Sequence, residues 1–187
     1  MKQQILIIGA GFAGMWSALS AVRLLDQQQR LDVSVTLLAP QAELRVRPRF
    51  YETDLVSTVA PLGPLFDAVG VQFVQGSATR IDAAGKRVVY RDASGAQAEL
   101  SFDRLILASG SQVARPPLAG IDRFAFDVDS LESAQKLEAH LQSLRDKPAS
   151  QARNTVVVVG GGAAGVVPAD GQGDCLGLLR CAARRRL

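Results

Sequence analysis

The sequence predicts an α/β fold, and three observations carry this prediction. Two short apolar runs, residues 5–8 and 155–159, are each followed at once by a Gly-x-Gly-x-x-Gly pattern. Short segments between them are separated by glycine-containing turns, as in an antiparallel β-meander. A continuous apolar run before such a glycine pattern indicates a parallel strand, buried on both faces, that turns into a helix. The chain of 187 residues is long enough for one domain and part of another.

The composition is that of a globular protein. Hydrophobic residues make up 48% of the chain and charged residues 21%. The formal net charge is +3, and residues 166–187 supply much of it, with four arginines against two aspartates. The rest of the chain is close to neutral, so no nucleic-acid partner is expected. No apolar run reaches the roughly 18 residues that a transmembrane helix needs, so none is expected.

Cysteine and histidine are scarce. The two cysteines, Cys175 and Cys181, both lie near the C-terminus, and His140 is the only histidine. This set fits neither a disulfide framework nor a zinc cluster, so no metal site is expected. His140 lies among polar residues of a predicted helix, where a surface side chain is expected rather than a catalytic base. The cysteine usage favours a reducing, cytoplasmic location.

The first glycine pattern has the residues that a dinucleotide pyrophosphate requires. Gly9 permits a tight turn after the strand, and Gly11 lets a pyrophosphate approach the backbone because it has no Cβ. Gly14 lets the following helix, predicted over residues 12–29, pack closely on the strand. The free N–H groups at the start of that helix favour phosphate. The alternatives are a glycine-rich turn in an ordinary α/β protein and a secretory signal cleaved near residues 18–21, which the early glycines disfavour.

The second predicted strand, residues 32–38, completes a β–α–β unit but departs from the usual pattern. A dinucleotide fold usually ends this strand with an acidic residue that accepts hydrogen bonds from the ribose hydroxyls. Ala39 and Pro40 stand at that point, and an alanine side chain cannot accept a hydrogen bond. Glu43, in the following loop, is an alternative acceptor. The missing acidic residue weakens the expected binding of the adenosine, whereas the glycine pattern predicts binding of the pyrophosphate.

Residues 41–52 are predicted as a loop by their proline and charge content. Arg45, Arg47 and Arg49 are spaced by two, which places them on one face of an extended chain. One interpretation is contact with ligand phosphates or a flavin edge. The other is a solvated charged face, and the residues alone favour neither.

The remaining segments extend the α/β pattern. The predicted elements are a helix over 60–70 ending at Gly70, a strand over 71–74 with a turn at Gly76, a meander of strands over 78–82, 87–91 and 98–102, a buried strand over 104–108, and a helix over 129–145 capped by Ser130. Ser109 and Gly110 follow the buried strand, and their small size suits close approach of a ligand. Residues 116–120 mark a domain boundary, and residues 148–154 are predicted as a polar linker.

The second glycine pattern, residues 160–165, makes the assignment much more specific. Two such patterns about 150 residues apart, each after an apolar strand, indicate two dinucleotide sites in tandem. A helix is expected after Gly165, but Pro168 and three glycines in seven residues oppose it. Residues 166–187 are therefore interpreted as an atypical tail, consistent with a truncated or out-of-frame end.

In combination these motifs resemble a known family. They are Gly9-x-Gly11-x-x-Gly14, residues 47–52 (RPRFYE), the meander, residues 102–111 (FDRLILASGS) and Gly160-x-Gly162-x-x-Gly165. Their order resembles that of the FAD- and NAD(P)-dependent pyridine nucleotide oxidoreductases, flavoproteins with two dinucleotide-binding domains, in particular the type II NADH dehydrogenase-like branch. The resemblance covers about residues 3–166. Ser109 stands where the second FAD motif of the family usually has threonine.

The resemblance implies a Rossmann-like FAD-binding domain with an antiparallel meander over residues 1–112, and an incomplete Rossmann-like NAD(P)-binding module over residues 113–187. FAD would lie against Gly9, Gly11, Phe12, Ala13, Gly14, Ala39, Pro40, Arg47, Ala78, Ala108, Ser109 and Gly110. NADH or NADPH would bind at Gly160, Gly162, Ala163 and Gly165.

The resemblance also implies an activity, in which hydride passes from NAD(P)H to FAD and onward to an acceptor such as a quinone. Residues 36–60 contain no cysteine, which excludes the redox cysteine pair of the disulfide reductases. The cofactor carries the chemistry in such enzymes, so no catalytic side chain is named. Peripheral membrane contact at the inner face and a homodimer are further implications of the family. A non-catalytic dinucleotide-binding module is the main alternative, and an S-adenosylmethionine enzyme is disfavoured by the second glycine pattern.

Overall fold

The computed structural model describes residues 3–52 and 54–158, and these form both strands and helices. The strands are β1 (Gln3–Ile8), β2 (Val33–Ala39), β3 (Glu43–Arg45), β4 (Val59–Pro61), β5 (Gln72–Asp82), β6 (Arg87–Asp92), β7 (Gln97–Ser101) and β8 (Arg104–Leu107). The α-helices are α1 (Phe12–Gln27), α2 (Gly63–Val69), α3 (Ile121–Phe124) and α4 (Leu131–Ser143). The second glycine pattern and the tail over 166–187 lie outside the described residues.

The chain divides into two compact units. The first comprises the chain up to Leu44 together with Ala60–Ser111, and the second comprises Arg45–Val59 together with the chain from Gln112. The predicted domain division after residue 112 stays a prediction.

The first unit is built on a six-stranded sheet in the order β7-β6-β5-β2-β1-β8. Strands β1, β2, β5 and β8 are parallel, whereas β5, β6 and β7 are antiparallel. The predicted α/β class with a Rossmann-like β–α–β unit and an antiparallel meander is therefore confirmed. Because β1, β2 and β8 run in the same direction, their carboxyl ends meet at one edge of the sheet. Strands β3 and β4 form a separate two-stranded sheet.

The core lies on both faces of this sheet. One cluster includes Ile7, Leu37 and Phe66 and faces helices α1 and α2, while the other includes Leu6 and Leu38 and faces the meander. Successive residues of β1 and β2 therefore enter opposite clusters. This explains why both strands read as continuous apolar runs rather than as alternating ones.

The prediction of a turn at Gly76 was wrong. Residues 72–82 form the single strand β5, in which Gly76 pairs with Asp92 of β6. A Cβ at Gly76 would lie 2.5 Å from Cδ2 of Tyr90 and 2.6 Å from the carbonyl oxygen of Arg91. The glycine is therefore explained by close packing within the sheet and not by a change of chain direction.

Strand β8 differs from the prediction in its burial. It is the last strand of the sheet in the described residues, and Leu107 is 62% exposed. An edge strand has a neighbour on one side only, so its side chains are less covered than those of a central strand.

Two helix boundaries were predicted correctly because their capping signals are local. Helix α2 is followed by Gly70 at φ +75°, the left-handed conformation that ends many helices. In the second unit, helix α4 begins after Ser130, whose side chain accepts a hydrogen bond from the N–H of Ser133 at 3.1 Å.

The loop over residues 41–52 contains more structure than predicted. Glu43–Arg45 is strand β3, and Arg47–Arg49 forms a turn of 3-10 helix. The three arginines therefore do not line one face of an extended chain, because the chain changes conformation between the first and the second. Phe50 and Leu55 are buried in the second unit together with Ala134 of α4.

The strand predicted over residues 155–159 is not formed in its described part. Residues 155–158 have no strand assignment, and Val157 is 79% exposed. A strand requires a hydrogen-bonded neighbour, and residues 155–158 have none in the described part of the chain.

Elsewhere in the second unit the ring of His140 stacks on Phe126 with centroids 4.7 Å apart, so His140 is a packing residue. No helix within the described ranges is long and apolar enough to cross a membrane.

Candidate functional site

The candidate site lies at the carboxyl edge of the parallel strands, where β1 turns into α1. Gly9 makes this turn at φ +108°, and its N–H donates to the carbonyl of Leu38 at 2.9 Å. A Cβ on Gly9 would lie 2.2 Å from the carbonyl oxygen of Ala108, which follows β8. Both the backbone conformation and the packing therefore require glycine here.

Gly14 is required by packing between the helix and the turn. It is buried in the first turn of α1, and a Cβ there would lie 1.8 Å from the carbonyl oxygen of Gly9. The absence of a side chain allows α1 to begin directly against the end of β1. Gly9 and Gly14 thus hold the loop in one conformation.

Gly11 differs from the other two glycines because no atom of the described residues explains why glycine is needed there. Its backbone, with φ −67° and ψ −176°, is open to any residue, and no atom lies within 4 Å of the position that a Cβ would occupy. Gly11 is exposed at the start of α1. The space above Gly11 is therefore open, and it lies beside a helix N-terminus.

The first turn of α1 has backbone N–H groups without a partner among the described residues. Met15 is the first residue whose N–H is bonded within the turn, to the carbonyl of Gly11 at 2.9 Å. The N–H groups of Phe12, Ala13 and Gly14 have no earlier carbonyl of the helix to bond. No side chain caps the turn, and no acidic residue lies in it. The positive end of the helix dipole is thus open to an anion.

Strand β2 ends at the same edge with Ala39, whose side chain is buried. Ala39 is 3% exposed and pairs in register with Gln75 of β5. The side-chain amide of Gln75 donates from Nε2 to the carbonyl oxygen of Pro40 at 3.0 Å. The sequence analysis did not identify Gln75. It lies beside Ala39 only because β2 pairs with β5, and the two residues are 36 positions apart in the chain.

The segment after β8 completes the edge on the other side of β1. Ala108 donates its N–H to the carbonyl of Ile8 at 2.8 Å, and Gly110 has φ +74°. Ser109 lies between them. Ala78 lies three residues after Gln75 on β5, exposed, and pairs with Tyr90 beside an irregularity in the ladder.

Arg47 belongs to the second unit and is already paired there. Its guanidinium forms a salt bridge with the carboxylate of Asp129 and donates from Nε to the carbonyl oxygen of Asp129 at 3.1 Å. Arg45 contacts Glu132 at 2.7 Å, and Arg49 contacts Glu52 at 2.6 Å. Each of the three arginines is thus neutralised by a carboxylate within this unit. The predicted contact of Arg47 with a cofactor stays a prediction.

Hydrogen bonds lower the pKa of two carboxylates of the second unit, Glu132 and Asp127. A hydrogen bond from its own backbone N–H lowers the pKa of Glu132 below its ordinary value, against the effect of burial and with the help of Arg45. Burial raises the pKa of Asp127, but the hydrogen bonds from Arg115 and from the backbone N–H of Asp129 outweigh it, so the net shift is downward.

The geometry of the first unit fits a dinucleotide in two respects. The exposed, uncapped helix start and the open space above Gly11 suit a pyrophosphate, which carries negative charge and needs close approach to backbone N–H groups. The neighbouring carboxyl ends of β2 and β8 border this position. The predicted nicotinamide-nucleotide residues, Gly160, Gly162, Ala163 and Gly165, lie outside the described residues. The cofactor contacts predicted for the first unit remain predictions.

Comparison with known proteins identifies relatives over most of the chain. Residues 3–171 match the model of the pyridine nucleotide-disulphide oxidoreductase family. An NADH dehydrogenase-like protein of Mycobacterium tuberculosis is 44% identical over 167 residues, which are 87% of this chain and 40% of that protein. The demethylphylloquinone reductase NdbB of Synechocystis is 32% identical over 94% of this chain and 44% of its own length.

The fold is also found among solved structures. NDH2 from Plasmodium falciparum, in complex with NADH, superposes with a TM-score of 0.65 at 20% identity, over 78% of this chain and 30% of that chain. This likeness concerns the fold alone. The chain spans about two fifths of the length of the curated relatives that it matches. From the family match and the identity to its relatives, the chain belongs to the pyridine nucleotide-disulphide oxidoreductase family.

Proposed function

We propose that this chain binds FAD through its first unit and serves in an FAD-dependent oxidoreductase that takes hydride from NAD(P)H. Residues 1–112 would form the FAD-binding domain, and residues 113–187, with the second glycine pattern, would contribute the NAD(P)H site. The observation that carries the proposal is Gly11, since neither its backbone conformation nor its neighbours among the described residues require glycine. A ligand in contact with the backbone supplies the missing reason.

Each part of the first unit has a defined task in this proposal. The N–H groups of Phe12, Ala13 and Gly14 hold the pyrophosphate, and the dipole of α1 favours its charge. Gly9 and Gly14 fix the loop against β1, so that the donors are oriented before the ligand binds. Ala108, Ser109 and Gly110 border the ligand from β8, and Ala78 borders it from β5. When bound, FAD supplies the hydride-accepting chemistry, and the protein supplies binding and orientation.

A quinone is the proposed electron acceptor. The named relatives include a demethylphylloquinone reductase and the type II NADH:quinone oxidoreductase of Staphylococcus saprophyticus, which is 25% identical over 86% of this chain. The activity belongs to whole proteins of which this chain spans about two fifths. Homodimer formation and peripheral membrane contact are further proposals of the same kind.

The visible absorption spectrum of the purified chain tests the proposal. A flavin spectrum that bleaches on anaerobic addition of NADH or NADPH is the expected result. Bound flavin that neither nucleotide reduces would favour the non-catalytic dinucleotide-binding module instead. A chain that takes up no added FAD would contradict the proposal.

Variants at Gly11 make the test specific to the site. Gly11→Ala and Gly11→Ser place a Cβ in the open space above the backbone, and the serine also caps the helix, so the melting temperature is expected to stay near that of the native chain. FAD content is expected to fall at least about tenfold, because the Cβ occupies the space of the pyrophosphate. Gly63→Ala is the matched control, since Gly63 begins α2 and also has no atom within 4 Å of its Cβ position.

A further inference from the structure

We propose that Gln75 takes the place of the missing acidic residue and accepts a hydrogen bond from a hydroxyl of the adenosine ribose. This inference rests on the proposed function, because it names a contact within the same dinucleotide site. It assigns a binding role to a residue that the glycine pattern and the end of β2 do not indicate.

The strand register places Gln75 beside the end of β2. Ala39 and Gln75 are paired neighbours on the parallel strands β2 and β5. Side chains of β5 alternate between the two core clusters, since Phe73 packs into the cluster that contains Ala39 and Val74 packs into the other. The alternation puts Gln75 on the same face as Ala39. Its side chain therefore starts next to the Ala39 methyl group, where the fold usually has a carboxylate.

The hydrogen bond to Pro40 fixes how the amide is turned. The carbonyl oxygen of Pro40 can only accept, so the partner at 3.0 Å must be the amide nitrogen of Gln75. The amide oxygen then faces away from that carbonyl, and no donor bonds to it within the described part of the chain. Gln75 is exposed, so this acceptor is open to a ligand. A glutamine held by one end thus offers a fixed acceptor with little further loss of side-chain freedom.

The chemistry of this acceptor suits a ribose hydroxyl. An amide oxygen has two lone pairs and accepts from an O–H group, as a carboxylate oxygen does, but without the negative charge. A neutral hydrogen bond is weaker than a charged one, so a moderate effect on affinity is expected. Glu43, the acceptor considered from the sequence, is half-buried at the start of β3 and already takes part in an interaction.

The test pairs one side-chain change with the removal of single ribose hydroxyls. Gln75→Met keeps the length of the side chain and removes both the donor and the acceptor. Gln97→Met is the control, because Gln97 is also an exposed strand residue, on the outer strand β7. The flavin-free full chain is titrated by calorimetry with ADP, 2′-deoxy-ADP and 3′-deoxy-ADP, and its uptake of FAD is measured in parallel.

The native chain is expected to bind ADP about fivefold more tightly than one of the two deoxy nucleotides. Gln75→Met is expected to bind ADP as weakly as that deoxy nucleotide and to lose the discrimination, while Gln97→Met keeps it. Equal binding of all three nucleotides by the native chain would overturn the inference and leave FAD binding intact. If Gln75→Met bound all three nucleotides more weakly by the same factor, the discrimination would persist without Gln75, and this would also overturn the inference. Failure of the native chain to bind FAD or ADP would reject the proposed function and the inference together.

Discussion

Gly14 and Gly11 lie three residues apart, yet substitutions at them should fail for different physical reasons. Gly14 is packed against the backbone of Gly9, which cannot move aside as a flexible side chain can. Gly14→Ala is therefore expected to destabilise the chain by about 3 kcal/mol, at the upper end of overpacking costs. Urea unfolding followed by circular dichroism measures this loss. FAD should be lost as well, but as a consequence of the displaced helix.

The control for this prediction is Gly63→Ala, which adds the same methyl group where no atom lies within 4 Å. Its stability should stay within about 1 kcal/mol of the native chain, because a helical Gly→Ala change without a clash is neutral or stabilising. An unaltered free energy of unfolding in Gly14→Ala would mean that α1 does not pack on the turn at the distance described.

At the scale of elements, Asp127 joins two segments that precede α4 in the second unit. Arg115 contacts Asp127 at 2.6 Å, and Asp127 also accepts from the backbone N–H of Asp129. Because the pKa of Asp127 is lowered from its ordinary value of 3.8, the ionised form contributes stability above that pH. This contribution is lost as the pH falls from about 4 through the lower pKa of the folded state.

Acid should therefore destabilise the second unit, and Arg115→Gln should make it less sensitive to acid. The pKa of Glu132 is also lowered, from 4.5, so the loss begins near pH 4.5 and continues below pH 4. The urea midpoint is measured between pH 7 and pH 3 for the native chain, for Arg115→Gln and for Arg23→Gln. Arg23 is exposed on α1 and forms no ion pair within the described ranges, so its removal controls for net charge. An identical pH slope in all three chains would contradict this assignment.

The elements show which parts of the fold a sequence can indicate. Strand β1, helix α1 and the cap of α4 were predicted because their signals are local: an apolar run, a glycine pattern and a serine before a helix. Strand β5 was divided in error, since the packing that requires Gly76 comes from Tyr90 on another strand. Gln75 was missed for the same reason. Its position beside Ala39 is a property of the sheet order and cannot be read from neighbouring residues.

At the scale of the whole molecule, the two glycine patterns should serve separate ligands. The first pattern lies entirely in the first unit, and the second lies in the part of the chain assigned to the second unit. Each pattern follows an apolar run and has the same spacing of glycines. If FAD occupies the first and NADH the second, a Cβ added in one pattern should leave binding at the other largely intact, because it opposes only the pyrophosphate at its own pattern.

Gly162→Ala tests this separation. Gly162 is the middle glycine of the second pattern, the counterpart of Gly11, where a Cβ opposes the pyrophosphate. In Gly162→Ala the dissociation constant for NADH, measured from the fluorescence of the nucleotide, is expected to rise at least about tenfold. The FAD content of this variant is expected to equal that of the native chain. Gly11→Ala should do the reverse, with FAD lost and NADH still bound. If Gly162→Ala instead removed FAD, or if its affinity for NADH were unchanged, the two patterns would not be independent nucleotide sites, and the assignment of NAD(P)H to residues 160–165 would have to be abandoned.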